Sequence, residues 1–293
     1  MKSLRPCLLL SVVLLLTAVT VPAARAELER ILEFRSDLRV HEDSTMTVTE
    51  TITVLAQGRE IKRGIIREFP TRYRDRLGNR VEVGFEILEV LRDGRPEPYS
   101  TRTLSNGVEI KIGDKDVFLQ PGRHSYAITY RTNRQLGFFD EYDELYWNVT
   151  GTGWSFAIDH AVAVIELPSG ARLIQQAGYT GPQGAVGRDY HYLQEGGRHV
   201  FRITRGLGPR EGLTIALSWP KGFVTEPTRQ QRIEYFLADN LSTAVALGGL
   251  ALVLGYFLLV WTAVGKDPAK GTIIPRYEPP AELSAASPLI PDR

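Results

Sequence analysis

Residues 243–264 carry no charged side chain across about 22 positions, and that run constrains the chain more than any other feature. At 1.5 Å per residue it is long enough to span a hydrocarbon core roughly 30 Å thick. A buried core helix of this length would show a polar stripe, and this one has none. Tyr256 and Trp261 lie towards one end, as interfacial aromatics do. The stretch therefore reads as a transmembrane helix. A second apolar run opens the sequence. Lys2 and Arg5 precede the apolar residues 8–21, and Ala24-Arg25-Ala26 offers a small-x-small cleavage site. Residues 1–26 thus read as a secretory signal peptide; retained as an anchor, they would export the same downstream chain. The expected organisation is an extracytoplasmic domain over 27–225, a juxtamembrane helix over 226–242, the membrane helix over 243–264 and a proline-rich cytoplasmic tail over 265–293. That is a single-pass protein of the inner or plasma membrane, with the lipid bilayer as its first partner.

Charge and cysteine content then narrow the function classes. Lys and Arg number 35 against 34 Asp and Glu, which removes the basic excess that nucleic-acid binding requires. The one cysteine, Cys7, falls inside the signal, so the mature chain forms no disulfide and offers no thiolate to a metal or a substrate. An exported domain of this kind must be held by its core alone, which is feasible at roughly 200 residues.

Between residues 27 and 223 the apolar residues recur with a period of two. In Met46-Thr-Val-Thr-Glu-Thr-Ile-Thr-Val54 the even positions are apolar except Glu50, and the odd ones are threonine. Val81, Val83, Phe85 and Ile87 repeat the alternation, as do Val108, Ile110 and Ile112, then Tyr126, Ile128 and Tyr130, then Leu213, Ile215, Leu217 and Trp219. Residues 161–167 are apolar more continuously, which predicts a central strand covered on both faces. Asp93-Gly94, Asn106-Gly107 and Gly196-Gly197 accept positive φ and predict tight hairpins. Pro96 and Pro98 place the segment after the first of these at an edge or in a loop. The expectation is a mainly β, antiparallel sandwich-like domain, with a barrel as the other closure. From Thr225 the texture changes, and residues 229–240 read as a polar helix leading to the membrane.

Two segments stand out as candidate sites. Residues 138–154 place Asp140, Glu141, Asp143 and Glu144 beside Phe138, Phe139, Tyr142, Tyr146, Trp147 and Trp154. As chemistry, this would be a carboxylate pair with an aromatic sugar platform, or an oxygen-ligated calcium site. As plain structure, it is an acidic loop followed by a strand whose aromatics enter the core. Residues 59–80 hold the basic counterpart, with Arg63, Arg67, Arg72, Arg74 and Arg76 as an interaction patch for an anionic surface. Elsewhere the chemistry is sparse. None of His41, His124, His160, His191 and His199 stands in a His-Glu-x-x-His motif, and a two-residue hairpin at Gly196-Gly197 would set His191 and His199 on opposite faces. Ser155 lacks the second glycine of a nucleophile elbow, no phosphate loop is present, and Asn148-Val-Thr150 is a glycosylation acceptor placed inside a strand. No metal or cofactor is expected.

Arg63-Gly-Ile-Ile-Arg-Glu-Phe-Pro70, Asp143-Glu-Leu-Tyr-Trp-Asn-Val-Thr-Gly151, Ser218-Trp-Pro-Lys-Gly222 and Pro275-Arg-Tyr-Glu-Pro-Pro280 together resemble one group. It is the uncharacterised bacterial predicted-membrane-protein family known as domain of unknown function 2207, here its N-terminal domain plus first membrane helix. The resemblance implies an exported β domain, a membrane helix and a cytoplasmic portion, and it supplies no reaction. It also implies a longer cytoplasmic region with further membrane helices, whereas residues 281–293 are short and broken by proline. The functional expectation is a non-enzymatic binding module of the cell envelope, facing an envelope protein or polymer. The alternative is an extracytoplasmic carbohydrate-active hydrolase built on residues 138–154.

Overall fold

The computed structural model describes residues 28–75, 77–266 and 271. The signal segment and nearly all of the proline-rich tail lie outside the described residues, as does Arg76. The chain divides into two compact units, 1–239 and 240–293.

The first unit is built from strands. They are β1 (Arg30–Val40), β2 (Met46–Ala56), β3 (Ile65–Pro70), β4 (Arg72–Arg74), β5 (Arg80–Glu82), β6 (Phe85–Arg92), β7 (Arg95–Pro96), β8 (Tyr99–Thr103) and β9 (Gly107–Ile112). There follow β10 (Gly122–Thr132), β11 (Leu136–Phe138), β12 (Tyr142–Asn148), β13 (Ile158–Glu166), β14 (Gln175–Gly181), β15 (Tyr190–Glu195), β16 (Arg198–Ile203) and β17 (Gly212–Pro220). One large sheet runs β15-β16-β13-β1-β2-β10-β6-β7; a second runs β11-β12-β17-β14, a third β3-β9-β8, and β4 pairs with β5. The large sheet is open, since its end strands β15 and β7 do not meet. The smaller sheets pack on it, so that Phe34, Ile52 and Ile128 share a core with Leu145, Ile215 and Trp219 and with Ile110. The architecture is sandwich-like, as the alternation predicts.

Two details depart from the expectation. β1 and β13 pair in parallel, with Phe34 opposite Ala161, while the other ladders are antiparallel. The connection between them exceeds a hundred residues, ample for a parallel crossover. The stretch 81–87 is not one strand, because the chain breaks at Val83 and Gly84, where the Gly84 amide donates to the Asn133 side chain at 2.7 Å. β13 is the expected central strand, buried on both faces from 161 to 165: Ile158, Ala161, Ala163 and Ile165 enter the main core, and Val162 and Val164 form a small separate cluster with Val200. The Gly196-Gly197 hairpin follows its expected register, with Glu195 opposite Arg198 and Gln194 opposite His199. Both glycines have positive φ, which a tight turn of this twist requires.

A helix, α1 (Arg229–Asp239), closes the first unit. Thr228 caps it: the Gln231 amide donates to the threonine hydroxyl, and the Thr228 amide donates to the Gln231 side chain at 2.9 Å. At its other end Asp239 accepts from Arg134 at 2.6 Å and from the Glu82 amide at 3.2 Å, fastening α1 to β5. The second unit contains α2 (Leu241–Ala263), which buries none of its residues. At about 35 Å it is long and apolar enough to cross a membrane.

Candidate functional site

The alternation in β2 has one exception, Glu50, and that exception lies buried behind an arginine that lines a large cleft. Its parity turns it inward, where it is fully buried. β3 carries the complement. Ile65 and Phe69 face the core, and Arg67 between them must do the same. The two meet in a bidentate pair, Arg67 Nε to Glu50 Oε2 at 2.7 Å and Nη2 to Oε1 at 2.8 Å. The Tyr130 hydroxyl, from β10, donates to Glu50 Oε1 at 3.1 Å. Phe69, Phe34 and Trp154 surround the guanidinium, with ring centroids 4.5, 5.5 and 5.7 Å from its carbon. Burial alone lowers the Arg67 pKa, and the Glu50 carboxylate overcomes that and holds it above its ordinary value.

Arg67 lines a cleft of about 1200 Å³. One wall comes from β3, β4 and the chain near them, including Phe69 and Tyr73; the other comes from β12, β14 and the loop after β14. Tyr146 projects into it at 59% exposure, 6.5 Å from Tyr179, with Asn148, Gln135 and Thr214 nearby. The backbone at Gly151 has φ +74°, and a Cβ there would sit 2.8 Å from Arg67 Nη1. Glycine is therefore required on both counts: for its backbone conformation and for its close approach to Arg67.

The sequence-predicted residues are dispersed. Arg67 lies in the core, and Arg72 is half-buried, bonded to Glu82 at 3.3 Å and to the Leu104 carbonyl at 2.8 Å. Arg63, over the Phe118 ring at 4.0 Å, and Arg74, bonded to the Gly78 carbonyl, lie beyond opposite ends of β3. That strand is roughly 20 Å long, so the arginines do not form one patch. Asp140 and Glu141 occupy the exposed turn between β11 and β12. Asp143 is 1% exposed and paired with Lys221 at 2.7 Å, while Glu144 leaves the opposite face of β12. The four carboxylates therefore do not converge. Among the described residues no three His, Cys, Asp or Glu side chains gather for a metal. His191 is exposed and His199 buried, its ring bonded to the Tyr192 hydroxyl at 2.8 Å. Glu50 and Tyr130 entered no site in the sequence reading, although a carboxylate at a core-facing position of β2 was the available signal.

Two buried tyrosines make the domain sensitive to alkali. Burial, and then the Glu50 charge, raises the Tyr130 pKa well above its ordinary value, and burial pushes Tyr126 up to about 12. A group whose folded pKa exceeds its unfolded one stabilises the fold below the unfolded pKa and loses that contribution as pH rises. The melting temperature should thus hold until about pH 10 and fall progressively towards pH 12. Tyr126→Phe should lose less over that interval; thermal unfolding across the pH series checks both.

A family model described as predicted membrane protein (DUF2207), N-terminal domain, matches residues 30–219. The uncharacterized protein YciQ of Escherichia coli (strain K12) is 27% identical over 238 residues, an alignment covering 79% of this chain and 37% of that protein. The chain thus spans little more than a third of this relative's length. Among solved structures, native leukotriene A4 hydrolase from Saccharomyces cerevisiae aligns over 65% of this chain and 29% of its own, at 12% identity and a TM-score of 0.42. The M1 zinc metallopeptidase from Deinococcus radiodurans aligns over 64% and 42%, at 10% identity and a TM-score of 0.37. Likeness at that level carries no inference about fold or chemistry.

Proposed function

The chain belongs to the family of predicted membrane proteins with the DUF2207 N-terminal domain, and from that premise we propose that it is a membrane-anchored binding module of the cell envelope. The first unit lies on the extracytoplasmic side, delivered there by residues 1–26, and residues 265–293 lie in the cytoplasm. The cleft beside β3 is the recognition surface, and its occupant is an envelope protein or polymer. One observation carries this reading. The cleft offers aromatic rings, amides and hydroxyls at Tyr146, Tyr179, Asn148, Gln135 and Thr214, and among its described lining residues Glu68 is the one acidic side chain, with no histidine beside it. Such a lining orients a ligand through contact area and hydrogen bonds.

The test is made in native membranes with the full chain. A photo-crosslinking phenylalanine analogue at Tyr146 should give a discrete adduct, and the same group at Leu193, exposed on β15 outside the cleft, should not. Protease added to spheroplasts should digest residues 27–225 and spare the tail. Equal labelling at both positions, or a protected domain with a digested tail, would refute the reading.

A further inference from the structure

β3 is an end strand of its sheet, and its free edge runs beside an unfilled slot. The cleft touches residues 67–71 in succession, and a second cavity of about 350 Å³ touches residues 64–68 in succession. Neighbouring residues of a strand point to opposite faces, so cavities that contact every one of them lie along its edge. The opposite wall is equally continuous: residues 151–153 line the first cavity and residues 153–156 the second. The cavities join at Arg67, Glu68 and Gly153. Among the described residues no backbone hydrogen bond crosses from 64–70 to 151–156.

The parity of the free edge follows from its neighbours. The Thr71 amide donates to the Asn106 carbonyl beside β9, so the odd residues of β3 direct their amides to the sheet and the even ones direct theirs to the slot. Pro70, which has no N–H, has the parity an edge tolerates. Ile66 therefore presents its N–H and C=O to the slot and Glu68 its N–H, while the Glu68 carbonyl accepts from Arg67 Nη1 at 3.4 Å. We infer that this slot accepts an extended polypeptide segment of an envelope protein, added to β3 as a further strand. This rests on the binding-module reading and names its partner class. A segment of about six residues matches the length of β3. Glu68 is exposed, makes no ion pair among the described residues, and places its carboxylate 3.9 Å from where a Cβ on Gly153 would stand. The inserted strand is therefore expected to carry a basic residue at that point.

The experiment places the photo-crosslinking phenylalanine analogue at Ser155, an exposed residue of the slot wall, in the full chain in native membranes. Mass spectrometry of the digested adduct should find a short peptide attached. Ile66→Pro deletes a slot-facing N–H without removing a bond to β9. It should lower the adduct yield about tenfold, equivalent to about 1.4 kcal/mol, while the melting temperature moves little. Gly153→Leu fills the point shared by the two cavities from the opposite wall and should abolish the adduct even if the proline variant folds poorly. A peptide adduct whose yield neither variant changes would overturn the inference. So would an attached saccharide, although the binding-module reading would stand. No adduct at either Ser155 or Tyr146 would remove that reading and the inference together.

Discussion

Arg67→Met should melt on the order of 10 °C below the parent protein, the largest loss expected of any single substitution in the cleft. Glu50 is fully buried, and its partners are the two guanidinium bonds and the Tyr130 hydroxyl. Removing the guanidinium leaves a buried carboxylate with one neutral donor. Breaking such a pair from one side costs about 3–5 kcal/mol, against about 5–15 kcal/mol for a whole domain. Glu50→Gln should cost less, because the stranded cation still lies among Phe34, Phe69 and Trp154. The double variant Glu50→Met with Arg67→Met should recover most of the loss, since it leaves no charge behind. Thermal unfolding of the four proteins in one detergent decides the matter. A single Arg67→Met variant that melts within a few degrees of the parent would mean the pair is solvated in solution. A double variant as unstable as the single would mean packing, not charge, is at stake.

Trp147→Ala should be nearly as damaging. The order Leu145-Tyr146-Trp147-Asn148-Val149 alternates, and the structure buries Leu145, Trp147 and Val149 while Tyr146 and Asn148 face outward. Trp154, which follows two glycines, is also interior: its Nε1 donates to the Thr150 carbonyl at 2.8 Å, and its ring meets Phe34 edge-on at 6.2 Å. Deleting a buried tryptophan costs about 3–5 kcal/mol, through lost burial and the cavity left behind. Trp147→Ala should therefore also melt on the order of 10 °C below the parent. Tyr146→Ala, on the exposed side of the same strand, should unfold like the parent and lose only cleft contacts. A cooperative transition for Trp147→Ala close to that of the parent would sink this assignment and place the ring in the ligand surface.

Much of this was determined by sequence alone, because it depends on neighbours along the chain. Backbone geometry sends alternate side chains to opposite faces, so the core side of β2, β10, β12 and β17 was legible residue by residue. The Gly196-Gly197 register was legible from turn chemistry, and α2 from its length without charge. The same periodicity marks Glu50 and Arg67 as inward-facing, yet it cannot say that they face each other. Their pairing required two sheets to close on one another across 17 positions of sequence. The parallel contact of β1 with β13, the dispersal of Asp140, Glu141, Asp143 and Glu144, and the slot between residues 64–71 and 151–156 were likewise decided only by tertiary structure. Local sterics select the face from which a side chain leaves a strand, whereas long-range packing, traded against chain entropy, selects which strand lies opposite.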